Sequence, residues 1–215
     1  MVLIAQRVLL DDVIAGLQRT RAVFHSEADV QHAFAVEVGR SVADLRVRLE
    51  VPFRGAGSTY LDVLVSDPET GESTAVEVKY FTARLDITDP LTQERFSLRS
   101  HGADDLLRLH FARDLARLEG WAGPQRSGIA LLLTNASGLW SEPRGASPTR
   151  DRAFRIHEGR TLGGSLVWGD GDAEENDLQL NGRYTTSWRD YSDLTVPRGV
   201  FRWLAVDVPR TTSED

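Results

Sequence analysis

Asp62 and, after fourteen intervening residues, the run Glu77-Val78-Lys79 are the residues whose types and spacing could do chemistry. They fall in two stretches rich in valine, leucine and tyrosine, Tyr60 to Val65 and Ala75 to Tyr80, which read as strands. The linker SDPETGES between them holds Pro68 and Gly71, the composition of a hairpin loop. Side chains alternate across a strand, so Glu77 and Lys79 share one face while Val76, Val78 and Tyr80 take the other. If Ser66 opposes Ser73, Asp62 stands across from Glu77. A slip of two residues puts Asp62 opposite Lys79 on the same face, and only an odd slip separates the trio. Opposed Cβ atoms lie roughly 4.5–5.5 Å apart. Two carboxylates that close repel unless a cation sits between them or one takes up a proton. Mg²⁺ meets the first condition, because it prefers oxygen ligands and often takes one or two carboxylates with waters and phosphate oxygens. The lysine would then orient or deprotonate a water, or offset charge building on a phosphate.

The lysine is distinctive in this chain. Of 25 cationic side chains, 24 are arginine and one, Lys79, is lysine. A planar guanidinium and a compact, tunable ammonium are not equivalent inside a site. The alternative is a trio of solvated residues on the outer side of an amphipathic hairpin. Against it, Val63, Val65, Val76 and Val78 fall on one face, yet Tyr60, Leu64 and Ala75 lie with the charged residues. Both faces therefore read as at least half buried, and buried charges need partners.

The surrounding elements must hold that hairpin. Leu10, Val13, Ile14 and Leu17 have the spacing of an amphipathic helix over Leu9 to Arg19, with Asp11 and Asp12 suited to its first turn. Ser26 and Asp29 form a helix start signal, and the helix runs through Val30, Ala33, Phe34 and Val38 to about Arg40. Arg46 to Phe53 reads as a strand ended by the turn-prone RGAGS. Phe81 to Ser100 reads as a polar, irregular loop. Ala103 to Glu119 predicts a helix with Leu106, Leu109, Leu115 and Leu118 on one side and Gly120 near its end. Gly128 to Thr134 is a continuous apolar run, as in a buried central strand. Ser141 to Arg152 is a Pro/Gly/Arg-rich loop, and short β-like pieces follow at Ala153 to His157, Ser165 to Trp168, Leu178 to Trp188 and Val200 to Val208. The last seven residues read as frayed.

Over about residues 24 to 135, this order and the motif Leu61-Asp62 … Glu77-Val78-Lys79 resemble the PD-(D/E)xK superfamily of restriction-endonuclease-like nucleases. The resemblance implies an α/β (α+β) fold: an αβββαβ core with a mixed central sheet flanked by helices. A β-rich C-terminal extension over about 141 to 208 would complete a single domain of 1–215. It implies Asp62 and Glu77 as metal ligands, the Val78 carbonyl as a third, Lys79 as the catalytic lysine, and Mg²⁺ or Mn²⁺ as cofactor. A glutamate on the first core helix often completes such sites. Glu27 is the candidate, since Glu27, Val30, Gln31, Phe34 and Val38 fall along one side of that helix, and Glu37 is a rival by the same spacing. The residue before Asp62 is leucine where the family nominally has proline. The implied activity is endonucleolytic hydrolysis of DNA phosphodiesters. One active site cuts one strand, so duplex cleavage would need a homodimer or two successive nicks.

Composition narrows the alternatives. The chain has no cysteine, so disulfides, thiolate metal sites and cysteine nucleophiles are excluded. The longest apolar run, Ile129 to Leu133, is far too short to span a bilayer, and MVLIAQRVLLDD lacks the layout of a signal peptide; a cytoplasmic protein with no membrane partner is the expectation. A net charge of −7 offers no general basic footprint for nucleic acid. That charge favours a second reading, in which the fold is a weakly active or inactive module binding nucleic acid or a protein partner. His25 and His32 have no third ligand and read as structural or surface residues. DGDAEEND lacks the glycine and terminal glutamate of a calcium loop and reads as an acidic turn. The interleaved Arg183, Tyr184, Trp188, Arg189, Tyr191, Phe201, Arg202 and Trp203 read first as strand alternation with buried aromatics, and second as a base-stacking surface. Arg95, Arg99, Arg108, Arg144, Arg150 and Arg152 are candidates for reaching a phosphate backbone.

Overall fold

The computed structural model describes residues 1–55, 57–89, 92–143, 149–170 and 173–211. Two short strands, β1 (Leu3–Ile4) and β2 (Val8–Leu9), precede α1 (Leu10–Thr20) and α2 (Glu27–Ser41). Then come β3 (Arg46–Gly55), β4 (Gly57–Ser66), β5 (Ser73–Phe81), β6 (Leu85–Thr88), β7 (Arg95–Leu98), α3 (Asp104–Trp121) and β8 (Arg126–Thr134). The remaining strands are β9 (Thr161–Leu166), β10 (Leu178–Thr185), β11 (Trp188–Asp193) and β12 (Val200–Val208). The fold is α+β, built on a mixed six-stranded sheet of order β11-β12-β8-β5-β4-β3, in which only β5 and β8 run parallel. No described helix is long and apolar enough to cross a membrane.

Each face of the sheet carries its own core. α1 and α2 cover one face, where Val63, Val65, Val76, Val78, Ile129, Leu131 and Leu133 pack with Leu10, Val13, Phe34 and Val38. α3 covers the other, where Ala75, Ala130 and Leu132 meet Phe111, Leu115 and Leu118. The two-residue alternation of β5 and β8 sorts these sets. α3 approaches β8 closely at Gly128, where an added Cβ would lie 2.8 Å from the Leu118 Cβ. The Ser26 hydroxyl caps α2 by accepting the Asp29 N–H at 3.2 Å, as the start signal requires. The β4–β5 register is the one in which Ser66 faces Ser73.

Several expectations are corrected. Residues 81 to 100 are not an irregular loop: β6 and β7 form an antiparallel hairpin with Leu85, Phe96 and Leu98 buried. Its polar residues are the solvent-facing half of a period-two pattern, which masks the strands in composition. Leu106 is 41% exposed, and Leu107 and Phe111 are buried on α3 in its place. α3 runs two residues further than expected, to Trp121, with Gly120 near its end as expected. Within the expected strand Ala153 to His157 the chain forms a 3-10 turn, Arg152–Phe154, that plants Phe154 and Ile156 in the α3-side core. The expected strand Leu178 to Trp188 is broken at buried Thr186, whose hydroxyl donates to the His157 carbonyl. The tail does more than follow the core, since β11 and β12 extend the central sheet while β9 and β10 form a separate hairpin beside α3. Tyr184, Trp188, Tyr191, Phe201 and Trp203 are buried, in keeping with strand alternation. Position 56 at the centre of the RGAGS turn, Arg144, positions 171–172 of the acidic turn and the chain end from 212 lie outside the described residues.

Candidate active site

The site forms where β4 and β5 part. Their ladder runs from Ser66↔Ser73 to Val63↔Val76 and stops there. On the other side of β4, the ladder with β3 skips Glu50, which has a positive φ of 52° between the pairs Leu49↔Val63 and Val51↔Leu61. The strand pair rolls over at this point: Leu49 and Val63 pack in the α1/α2 core, whereas Val51 and Leu61 pack in the α3 core. Asp62 sits at the roll.

Beyond the last β4 pairing, two β5 amides have lost their strand partner and are taken by carboxylates instead. The Val78 N–H donates to Asp62 Oδ2 at 2.7 Å, and the Tyr80 N–H donates to Glu27 Oε2 at 3.0 Å. Buried amides left unmet would cost on the order of 1–3 kcal/mol each. Glu27, in the first turn of α2, thus reaches β5 where β4 has parted from it. Glu37 does not: its carboxylate lies against α1 at Gly16, with Arg40 3.5 Å away.

On the α3 side, Lys79 Nζ lies 3.0 Å from Asp114 Oδ2 and 3.4 Å from the Val78 carbonyl. Arg117 bridges two acids, with Nη1 2.8 Å from Glu77 Oε2 and Nη2 3.2 Å from Asp114 Oδ1. Sequence reasoning missed Asp114 and Arg117. The usable signal was that Leu107, Phe111, Asp114 and Leu118 recur at helical spacing, so Asp114 occupies the buried stripe of α3. The Glu77 and Asp114 side chains are 1% and 3% exposed, whereas that of Lys79 is 19% exposed and within reach of a ligand.

Among the described residues, four carboxylates (Glu27, Asp62, Glu77 and Asp114) therefore interact with two cations (Lys79 and Arg117). If all were ionised, the cluster would carry two uncompensated negative charges. Burial, then the Asp114 and Asp62 charges, push the Glu77 carboxyl up to about 8 against the opposing pull of Arg117 and Lys79. Burial raises Glu27 and Asp114 as well. For Lys79, burial works to lower the pKa, but Asp114, Glu27 and Asp62 together outweigh it and leave it raised, so the side chain is a stable ammonium. Glu77 Oε1 is buried with no hydrogen-bond partner.

That unmet oxygen and the excess of carboxylates over cations fit a divalent cation bound by hard oxygen donors. Asp62, Glu77 and the Val78 carbonyl are the groups that would hold it. Among the described residues, no three acidic or histidine groups already stand at chelating separation. In this arrangement protein donors hold both Asp62 Oδ2 and Glu77 Oε2.

Of the arginines expected to reach a phosphate, Arg108 is corrected: it is 4% exposed, paired with Asp151 and bonded to the Gly138 carbonyl at 3.0 Å. Arg150 pairs with Asp105. Arg95, Arg99 and Arg152 are exposed. The His25 Nε2 lies 2.9 Å from Glu94. No protein-family model, curated protein or solved structure matches the chain.

Proposed function

We propose that this protein is a divalent-metal-dependent nuclease of the PD-(D/E)xK, restriction-endonuclease-like kind. It would hydrolyse DNA phosphodiesters at a site built from Asp62, Glu77 and Lys79 with Glu27. The observation that carries the reading is the crowding of four carboxylates around two cations where β4 and β5 part, which pushes the Glu77 carboxyl up to about 8 and leaves Glu77 Oε1 unmet. The order α2, β3, β4, β5, α3, β8, with β8 parallel to β5, supports it as the αβββαβ arrangement such nucleases use.

A bound Mg²⁺ or Mn²⁺ would supply charge neutralisation at the phosphate and a more acidic water. The chain's own groups do the rest. The main-chain amides of Val78 and Tyr80 fix the Asp62 and Glu27 carboxylates. Lys79, held by Asp114 and kept protonated, offers a positive charge to the phosphate oxygens or orients the attacking water, rather than removing its proton. The α3 helix keeps Glu77 out of bulk water, which strengthens every charge interaction in the cluster.

One observation favours a second reading, an inactive binding module: Arg117 already occupies Glu77 and Asp114. Cleavage of supercoiled plasmid and of single-stranded DNA with Mg²⁺ or Mn²⁺, beside Asp62→Ala and Lys79→Ala, separates the two. The nuclease reading expects metal-dependent cleavage that both substitutions reduce at least a hundredfold. Inactivity of the unsubstituted protein on both DNA and RNA favours the module, and activity surviving both substitutions places the chemistry elsewhere.

A further inference from the structure

Beside Glu27 a cavity of about 490 Å³ opens between the start of α2, the end of β5 and the β6–β7 hairpin. Its size lies within the range of small-ligand sites, and Glu27 forms a wall shared with the acidic cluster. Its polar lining includes His25, Ser26, Glu27, Ser97, Arg99 and His101, beside Tyr80 and Thr82. Most are already engaged. His25 meets Glu94, the Ser26 hydroxyl accepts from Asp29, Ser97 donates to Asp86, and Glu27 accepts from Tyr80.

Two donors are not. Among the described residues the Arg99 guanidinium makes no hydrogen bond or ion pair, and only the Arg99 carbonyl is used, accepting from Thr82 Oγ1 at 2.7 Å. The His101 Nδ1 accepts the Thr82 N–H at 3.0 Å, which puts the ring proton on Nε2 as a donor with no protein acceptor among the described residues. The His101 ring stacks on Phe81 with centroids 5.2 Å apart, and the His25 ring stacks on Phe96 at 4.2 Å, so both imidazoles are held rigid.

A guanidinium fork and a fixed N–H beside braced flat rings match a phosphate carried next to a base. Building on the nuclease reading, we propose that this cavity is a nucleotide subsite. It takes the nucleotide flanking the scissile bond, with Arg99 and His101 donating to that nucleotide's phosphate. The β6–β7 hairpin is then the wall that holds the substrate strand against Glu27.

The test is fluorescence anisotropy of a labelled single-stranded tetranucleotide on the full chain in EDTA, which prevents turnover. The oligonucleotide is used with and without a terminal 5′-phosphate, to tell an end phosphate from an internal one. Arg99→Ala should weaken binding about tenfold and make the log–log salt slope shallower by about 0.7. His101→Asn can still accept the Thr82 N–H through its side-chain carbonyl but is too short to place a donor where Nε2 stands, so it too should weaken binding about tenfold. Arg40→Ala, on the exposed far end of α2, should change nothing. Unchanged affinity and salt slope in both Arg99→Ala and His101→Asn, with metal-dependent cleavage by the unsubstituted chain intact, overturns the subsite and leaves the nuclease reading standing. An unsubstituted chain that neither binds nor cleaves nucleic acid overturns both.

Discussion

Replacing Glu77 by glutamine isolates the strain in the cluster. A carboxyl held at about 8 in the folded chain and at 4.5 in the unfolded one takes up a proton on folding between those pH values. Its folded pKa is raised, so the contribution sets in as a penalty once pH exceeds 4.5. Stability falls as pH climbs to about 8, and the full cost persists above. At about 1.4 kcal/mol per pH unit the gap corresponds to at most ~5 kcal/mol. For a chain of this size that is on the order of 10–20 °C in Tm. Glutamine imitates the protonated acid and can still accept from Arg117. In EDTA, calorimetric melting of the two proteins should nearly coincide at pH 5. The glutamine protein should become progressively more stable by pH 8.5. The other titrating groups are common to both, so the difference curve reports position 77. A difference that stays flat from pH 5 to 8.5, or a glutamine protein that is the weaker of the two at pH 8.5, refutes the account of this cluster.

Manganese at a hundredfold excess over its Kd should raise the melting midpoint by the equivalent of about 2.7 kcal/mol, with no comparable gain in Asp62→Ala; an equal gain in both would place the ion elsewhere. Arg108→Ala should cost about 2–3 kcal/mol in urea unfolding, because the buried Asp151 carboxylate loses its closest cation and keeps Arg155 at 3.4 Å and the Thr149 hydroxyl at 2.6 Å. Ser26→Ala should cost about 1 kcal/mol by removing the α2 cap, and a loss of Mg²⁺-dependent cleavage larger than the stability loss explains would show that the α2 terminus also positions Glu27.

The hairpin and its register were legible because alternation, a turn-forming linker and two apolar faces leave few ways to pair β4 with β5. The start of α2 was legible from Ser26 and Asp29, whose side-chain and backbone groups complete one another locally. Asp114 and Arg117 were harder: leucines at 106, 107, 109, 115 and 118 surround α3, so composition does not say which face meets the sheet. α3 packs against β8 on one side and β10 on the other, so both sides carry leucine and the 107/111/114/118 stripe does not stand out. The β6–β7 hairpin was hidden for a different reason. Among the described residues its buried apolar set is Leu85, Phe96 and Leu98, with Ile87 partly buried, too few apolar residues to stand out among the charged ones between them. The parting of β4 from β5, beside which Asp62 and Glu27 sit, coincides with a positive φ at Glu50 on a third strand, which no pairwise pattern reveals.

The most direct trial of the metal site is a crystal soaked in Mn²⁺ and measured at the manganese absorption edge. The account predicts an anomalous peak held by the Asp62 and Glu77 carboxylates, with Arg117 no longer bonded to Glu77. Saturating Mn²⁺ that leaves the Glu77–Arg117 pair intact and that position empty, or that binds only at another group of residues, would contradict it.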